Sequence, residues 1–546
     1  MFWLPRAVEG STKKRAEYGS NLERLQKGGA SSTHKGLQKM VGQAGEQAPF
    51  TLTVLHTNDV HAHIEESTKN GAMCSEKDKQ NKSCVGGVAR IKTKVKELKT
   101  QYPGALFMNA GDFFQGTAWY TVLKEKIISA VMTRMDYDYV CLGNHEFDDG
   151  PEGLAHHLLA LQKANVTIVG TNTNFSDEPA LRNISLPKSV KIKINNVTVG
   201  IVGAVLPETR FLSNTGKVQF EDEIQSIRRE AEKLESEEVK VIVAITHSGY
   251  PRDIEIVKQV EQLDLLVGGH TNTFLYHGQG YPKENTPEGD YPTVVNRSDG
   301  SIGLVVQDYW FGKFLGFLQV SFDNNGKVTK WTGNPVLLNS SVQEDQEMLD
   351  VIDCYKENVT RAISESRRTK FAGCESATLG NLIADGFFAY YADKESSEPG
   401  MWSDVNGALF NGGAVRAPIP QNRNITMGHI LATMPFGMSV VIMTLNGSEL
   451  RSMFEYSVSE YSFQKKQGRF LQVSEFHSWG PQSKLGRWGR KSHRIKLARN
   501  ESNKQATPFF LPADYPTRHR YSGSYMNRTA EKRKRCPALA KRRGGK

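Results

Sequence analysis

Leu142-Gly143-Asn144-His145-Glu146-Phe147-Asp148 sets an amide, an imidazole and two carboxylates directly behind the apolar run Tyr137-Asp138-Tyr139-Val140-Cys141-Leu142. A strand that hands polar side chains off its C-terminal end is where open α/β sheets place their chemistry. Gly143 allows the tight turn this requires. Alone, the stretch also fits an ordinary polar strand-to-helix turn. The arrangement recurs, however, four more times. Phe50–His56 ends in Thr57-Asn58-Asp59-Val60-His61-Ala62-His63, and Ala105–Ala110 opens into Gly111-Asp112-Phe113-Phe114-Gln115-Gly116. Val239–Ile245 runs into Thr246-His247-Ser248-Gly249, and Leu263–Val267 into Gly268-Gly269-His270-Thr271-Asn272.

One sheet edge would gather Asp59, His61, Asp112, Asn144, His145, His247 and His270. These residues supply enough nitrogen and oxygen ligands for two divalent cations, with a carboxylate such as Asp112 bridging them. Mixed His and carboxylate ligation favours Zn²⁺, Mn²⁺ or Fe over an all-oxygen Ca²⁺ cage. Two such ions would bind a phosphate and ready a water for in-line attack on phosphorus. With Asn144 as the ligand, His145 is left to face the phosphate, and Asp148 is placed to fix its tautomer. His56 and His63 read as structural or exposed.

Strands alternate with helices around these ends, which indicates a layered α/β domain. The helices expected are Val88–Lys99, Thr121–Met135 and Glu221–Ser236, and Val190–Val205 reads as a hairpin turning at Asn195-Asn196. Gln343–Arg367 is polar and helical and suits a long exposed linker helix. A second α/β segment follows: helix Thr378–Tyr391, strand Asn406–Phe410, Asn411-Gly412-Gly413-Ala414-Val415-Arg416, strand Val440–Leu445 and helix Gly447–Ser459. The expected divisions are a basic extension at 1–49, a phosphoesterase domain at 50–338, a linker helix at 339–367, a substrate-binding domain at 368–474 and a basic tail at 475–546.

The net charge of +10 conceals an acidic body with a net charge of −9 between basic ends. Those ends read as solvated, disordered segments, with no specific nucleic-acid partner expected. Among the six cysteines, Cys74 pairs in spacing with Cys84 and Cys354 with Cys374, so two local disulfides are expected. Asn81, Asn165, Asn174, Asn183, Asn196, Asn296, Asn339, Asn358, Asn424, Asn446, Asn500 and Asn527 each open an Asn-x-Ser/Thr sequon. That density points to a secreted or lumenal body.

Taken together, DVHAH (Asp59–His63), GDFFQG (Gly111–Gly116), GNHEFD (Gly143–Asp148), THSG (Thr246–Gly249) and GGHTN (Gly268–Asn272) resemble the calcineurin-like metallophosphoesterases. NGGAVR (Asn411–Arg416) and PFG (Pro435–Gly437) narrow the resemblance to the 5′-nucleotidase family, in particular animal ecto-5′-nucleotidases and arthropod salivary apyrases. It covers Phe50–Ser474. It implies an N-terminal four-layer sandwich, a linker helix about which a second α/β nucleotide-binding domain rotates, and a cell-surface or extracellular location. Asp59, His61, Asp112, Asn144, His247 and His270 would then ligate two metal ions, Zn²⁺ first, with Mn²⁺, Mg²⁺ or Co²⁺ as alternatives. His145 and Asp148 would form the catalytic pair, Arg416 would bind phosphate, and Asn411 and Phe436 would contact the base. The implied activity is hydrolysis of nucleoside 5′-monophosphates such as AMP. The alternatives are an apyrase acting on ATP and ADP, or a nucleotide-binding protein with impaired turnover. A homodimer is also admitted by the resemblance.

The chain departs from that pattern in three places, and its ends carry a separate expectation. Asn272 stands where some relatives carry a second His. No Arg lies nearer than Arg368 before Leu379-Gly380-Asn381, where the family places a phosphate-binding Arg. No GGDGF-type segment, whose aromatic would complete the sandwich around the base, follows Ser474, so the second domain is expected to be C-terminally incomplete. Finally, composition breaks at Phe50 and Ser474, without an export signal or lipid-anchor tail. A native chain is therefore expected to begin with an export signal and to continue past Ser474 as an α/β domain.

Overall fold

The computed structural model describes residues 50–364, 366–370, 376–395, 405, 407–419, 424–436, 439–459, 468–474 and 507–513. The expected 1–49 extension, Cys374, Cys536 and most of 475–546 lie outside the described residues.

The chain first lays down β1 (Phe50–Thr57), α1 (Val88–Gln101), β2 (Leu106–Asn109), α2 (Glu125–Met132), β3 (Tyr139–Val140), α3 (Gly150–Lys163) and β4 (Thr167–Ile168). It then builds a second sheet from β5 (Ser189–Ile194), β6 (Val197–Val205), β7 (Val241–His247), β8 (Leu265–Val267), β9 (Thr293–Asn296) and β10 (Ile302–Val306), with α4 (Glu223–Ser236) and α5 (Tyr250–Gln259) crossing over. It returns to the first sheet with β11 (Phe314–Phe322), β12 (Val328–Gly333) and β13 (Val336–Leu337). The first sheet runs β12-β11-β1-β2-β3-β4 with β13 on β11, and the second β9-β10-β8-β7-β6-β5. β1 to β4 are mutually parallel, as are β6, β7, β8 and β10. Their C-terminal ends therefore share one edge in each sheet.

Strand periodicity sorts the side chains into layers. Leu52 and Val54 of β1, Val243 and Ile245 of β7, and Leu265 and Val267 of β8 fill the space between the sheets. Leu55 points outward into a layer made with Ile91 and Val95 of α1, Ile128 and Val131 of α2, and Leu154 and Leu158 of α3. Ile242, Ala244 and Leu266 face Ile227, Ala231 and Leu234 of α4 and Ile256 and Val257 of α5. Helix, sheet, sheet and helix give the four-layer sandwich. The hairpin turns at Asn195 and Asn196, both at positive φ (46° and 70°), which Asn tolerates better than most residues. The helix expected over Thr121–Met135 is split, because Lys124 adopts φ 57° between Ala118–Leu123 and α2.

Helix α6 (Gln346–Ser364) is not the exposed linker its polar composition predicts. Met348, Ile352 and Val359 recur at helical spacing and pack into the outer apolar layer of the first domain. Lys96–Asp345 (2.6 Å) and Lys356–Glu65 (2.9 Å) flank that contact.

The second domain contains β14 (Ser366–Lys370), α7 (Ser376–Glu395), β15 (Leu409–Asn411), β16 (Asn424–Thr426), α8 (Met427–Thr433), β17 (Ser439–Leu445), α9 (Gly447–Val458) and β18 (Leu471–Val473). Its described buried apolar residues form three small clusters, around Leu409, Phe410 and Ala408. A further strand, β19 (Thr507–Ala513), pairs antiparallel with β17. It lies within the segment expected to be a disordered tail, so that segment supplies at least one strand.

Candidate metal centre

The five strand ends meet. β1 delivers Asp59 and His61, β2 Asp112, β3 Asn144 and His145, β7 His247, and β8 His270. The turns that do this are strained: Asp59, His61, Asp112 and His270 adopt φ of 50°, 47°, 53° and 75°. Non-glycine residues in this region cost of order 1–3 kcal/mol each and concentrate where function demands them. The neighbouring glycines are required by close approach. A Cβ at Gly143 would collide with Asp112 Oδ1, and one at Gly269 would sit 2.6 Å from Ala110 O and 2.8 Å from His247 Nδ1.

Two donor groups result, each with its ligand atoms within 4.8 Å of one another, and Asp112 belongs to both. One joins Asp112 with His247 and His270; the other joins Asp112 with His61 and His145. His247 Nε2 lies 3.0 Å from Asp112 Oδ2, and His270 Nδ1 lies 3.0 Å from Asn144 Oδ1. Around the other group, His61 Nε2 stands 3.6 Å from Asp59 Oδ1 and 3.9 Å from Asp112 Oδ2. His247 Nδ1 is hydrogen-bonded to Ala110 O at 2.7 Å and His61 Nδ1 to Phe114 O at 3.2 Å. Both backbone acceptors hold the ring proton on Nδ1 and turn the Nε2 lone pairs into the site. Asp59 Oδ1 is buried without a hydrogen-bond partner, and His247 Nε2, although 3.0 Å from Asp112 Oδ2, is not aligned for a hydrogen bond to it. Buried atoms of this kind are normally satisfied, and divalent cations held by the two donor groups would satisfy them. The residues present thus fit divalent metal ions.

His145 Nδ1 lies 2.7 Å from Asp148 Oδ2. Burial works to lower the His145 pKa, but the carboxylates of Asp148 and Asp112 outweigh it and bring it up to about 9. Asp112, also opposed by burial, is held well below the usual carboxylate range by His247 and His145.

From the second domain, Phe436 stacks on the His145 ring with centroids 5.2 Å apart. The Arg416 guanidinium lies 5.4 Å from the Phe436 centroid, and its Nε and Nη2 are buried without partners. Asn411 ends β15 with an exposed side chain. Asn272, also at positive φ (53°), donates to His270 O at 3.4 Å, and its Oδ1 is buried without a hydrogen-bond partner. His56 and His63 are buried rather than exposed: His56 Nε2 bonds Tyr291 OH at 2.8 Å, and His63 stacks on Phe311 at 3.9 Å.

Several supporting residues are not apparent from the motifs alone. Glu146 is buried, and its carboxylate accepts backbone N–H bonds from Gly143 (2.6 Å), Asp112 (2.9 Å), Phe113 (2.8 Å) and Phe114 (3.2 Å). It thereby locks the β2 and β3 turns together. Gln115 Nε2 (2.8 Å) and Ser213 Oγ (2.9 Å) donate to the two oxygens of Asp148. Asn58 Nδ2 donates to Asp59 Oδ2 at 2.8 Å. Glu146 and Gln115 lie inside quoted motifs, whereas Ser213 carries no local signal.

The sandwich and its two-group centre are those of a calcineurin-like phosphoesterase, and residues 52–274 match that family's model. Residues 357–488 match the 5′-nucleotidase C-terminal domain. The chain is 38% identical over 448 residues to 5′-nucleotidase from Bos taurus, covering 79% of this chain and 75% of that protein. It is 37% identical over 441 residues to snake venom 5′-nucleotidase from Crotalus adamanteus, covering 78% and 73%. The crystal structure of a 5′-nucleotidase precursor from Thermus thermophilus superimposes with a TM-score of 0.70 at 30% identity, covering 85% of this chain and 89% of that one. The chain belongs to the 5′-nucleotidase family, whose members are metal-dependent phosphohydrolases.

Proposed function

We propose that the protein hydrolyses nucleoside 5′-monophosphates, AMP among them, to nucleoside and phosphate. The observation that carries this is Asp112, which serves both donor groups at the junction of five strand ends. Two divalent ions, Zn²⁺ foremost, would neutralise the phosphoryl oxygens and lower the pKa of an attacking water. Asp59, His61 and Asp112 would hold one, and Asp112, Asn144, His247 and His270 the other.

His145, charged through its contact with Asp148, faces the same space and is suited to stabilise or protonate the departing ester oxygen. Asp148 fixes the ring's orientation, and Gln115 and Ser213 fix Asp148. Arg416 presents two unpaired donors for a phosphoryl oxygen. Asn411 and Phe436 would take the base, with Phe436 leaving His145 as substrate enters.

An extracellular setting accords with the Cys74–Cys84 disulfide. It also accords with the exposure of the sequon residues Asn81, Asn165, Asn174, Asn183, Asn196, Asn296, Asn358 and Asn446. No described helix is long and apolar enough to cross a membrane. Phosphate release from AMP, ADP, ATP and UDP-sugars, with Zn²⁺ or Mn²⁺ supplied, tests the reading. AMP should be preferred; preference for ADP and ATP would replace it with an apyrase, and no release from any nucleotide would refute it. Light scattering of the same preparation tests for a homodimer.

A further inference from the structure

β10 lies parallel beside β8, with Val306 level with Val267. Its C-terminal end therefore reaches the edge that delivers His247 and His270, yet none of its residues belongs to either donor group. What it hands off is Gln307, fully buried, whose carboxamide bridges the turn after β8. Nε2 donates to Gly269 O and Oε1 accepts from the Thr273 amide, both at 3.0 Å. His270 stands between these two points of attachment, at φ 75°.

A carbonyl at one end and an N–H at the other admit only this orientation of the carboxamide. Nε2 gives its second hydrogen to Asp253 Oδ2 at 3.0 Å. Asp253, on the first turn of α5, accepts the Thr246 hydroxyl on its other oxygen at 2.7 Å, and Thr246 directly precedes His247. Asp253 and Thr246 are also fully buried. Gly268 leaves space for this chain of bonds; a Cβ there would collide with Asp253 Oδ2 and lie 3.0 Å from Gln307 Nε2. β7, α5 and β10 are thereby tied to a single turn. Buried polar networks with every member paired are rigid, and partners behind metal ligands set the ligands' aim.

We infer that Gln307 is a positioning residue for one of the two metal ions: its carboxamide, anchored through Asp253 and Thr246, holds the turn that presents His270 beside His247. The inference rests on His247 and His270 as ligands of one ion.

The test is equilibrium Zn²⁺ binding by the full-length protein in chelator-buffered solutions, with bound ions counted by elemental analysis. Gln307→Met keeps the length of the side chain and removes its hydrogen bonds. One Zn²⁺ affinity should fall about 10- to 100-fold, the usual cost of losing such a partner, while the other stays within about threefold. In a His270→Ala background, which depletes that ion, Gln307→Met should leave the remaining affinity unchanged. Thr246→Val should weaken the same ion by less, and Thr246→Ser, which keeps the hydroxyl, should restore it. A residue that only supports the fold would lower the melting temperature of the metal-free protein and leave both affinities alone. That result, an equal loss at both sites, or a further loss in the His270→Ala background would each overturn the inference. Should Gln307→Met not fold, the Thr246 pair decides on the same readout. If the unsubstituted protein binds fewer than two ions, or His270→Ala retains both, the ligand assignment itself fails and the inference falls with it.

Discussion

Asp148 Oδ2 sits 2.7 Å from His145 Nδ1, across a single 3₁₀ turn. That contact engages Nδ1 alone, so Nε2 is the ring nitrogen that the proposed reaction would use. His145→Ala should retain metal yet lose about 10²–10⁴ of turnover, the usual contribution of a positioned acid. Asp148→Asn should lose less. Metal analysis alongside phosphate release checks this; full activity in His145→Ala would remove the residue from the chemistry.

Because Asp112 serves both donor groups, Asp112→Ala should deplete both ions, whereas His270→Ala should deplete chiefly one. Elemental analysis after dialysis gives the stoichiometry directly. Chelator should also lower the melting temperature of the wild-type protein, since the bound ions stabilise only the folded state. That shift should be absent in Asp112→Ala, and an equal shift in both would place the metals elsewhere.

Glu146 accepts four backbone N–H groups in a buried turn. Glu146→Gln keeps the volume but sets an NH₂ against donors, and a buried N–H left unpaired costs about 1–3 kcal/mol. A loss of about 2–5 kcal/mol in denaturant unfolding is expected, together with a large fall in activity. Wild-type stability in the variant would show that the two turns hold without it.

Asp264 tests the sign of a buried titration away from the metal ligands. Burial pushes it up to about 7, against an N–H bond from Ile242 and the field of Arg297. A carboxyl raised in this way binds more protons folded than unfolded between about 4 and 7. Its penalty is absent below the unfolded pKa, grows as pH rises, and is complete above about 7. Asp264→Asn never ionises, so its melting temperature relative to wild type should rise from pH 5 to pH 8. The full span is up to about 4 kcal/mol. A difference independent of pH would show that Asp264 ionises freely in the fold.

The gathering of the donor side chains is legible because each directly follows an apolar run, and parallel strands align such ends without any knowledge of packing. Ser213 is different. It meets Asp148 across 65 positions, and only the closed fold brings them together. Glu146 stands in the most conspicuous motif, yet its part depends on which amides fold over it. Nor does an aromatic residue type announce the left-handed backbone of Tyr309 and Phe311. Helix α6 reads as exposed because charged residues are interspersed along its whole length, and only its helical spacing collects the apolar ones on a single face.

That packing has a mechanical consequence. A helix anchored through Met348, Ile352 and Val359 is part of the first domain's wall, so it cannot act as a free axle between two bodies. Any swing of the second domain would have to be taken up beyond this anchored helix, and would leave the two donor groups undisturbed.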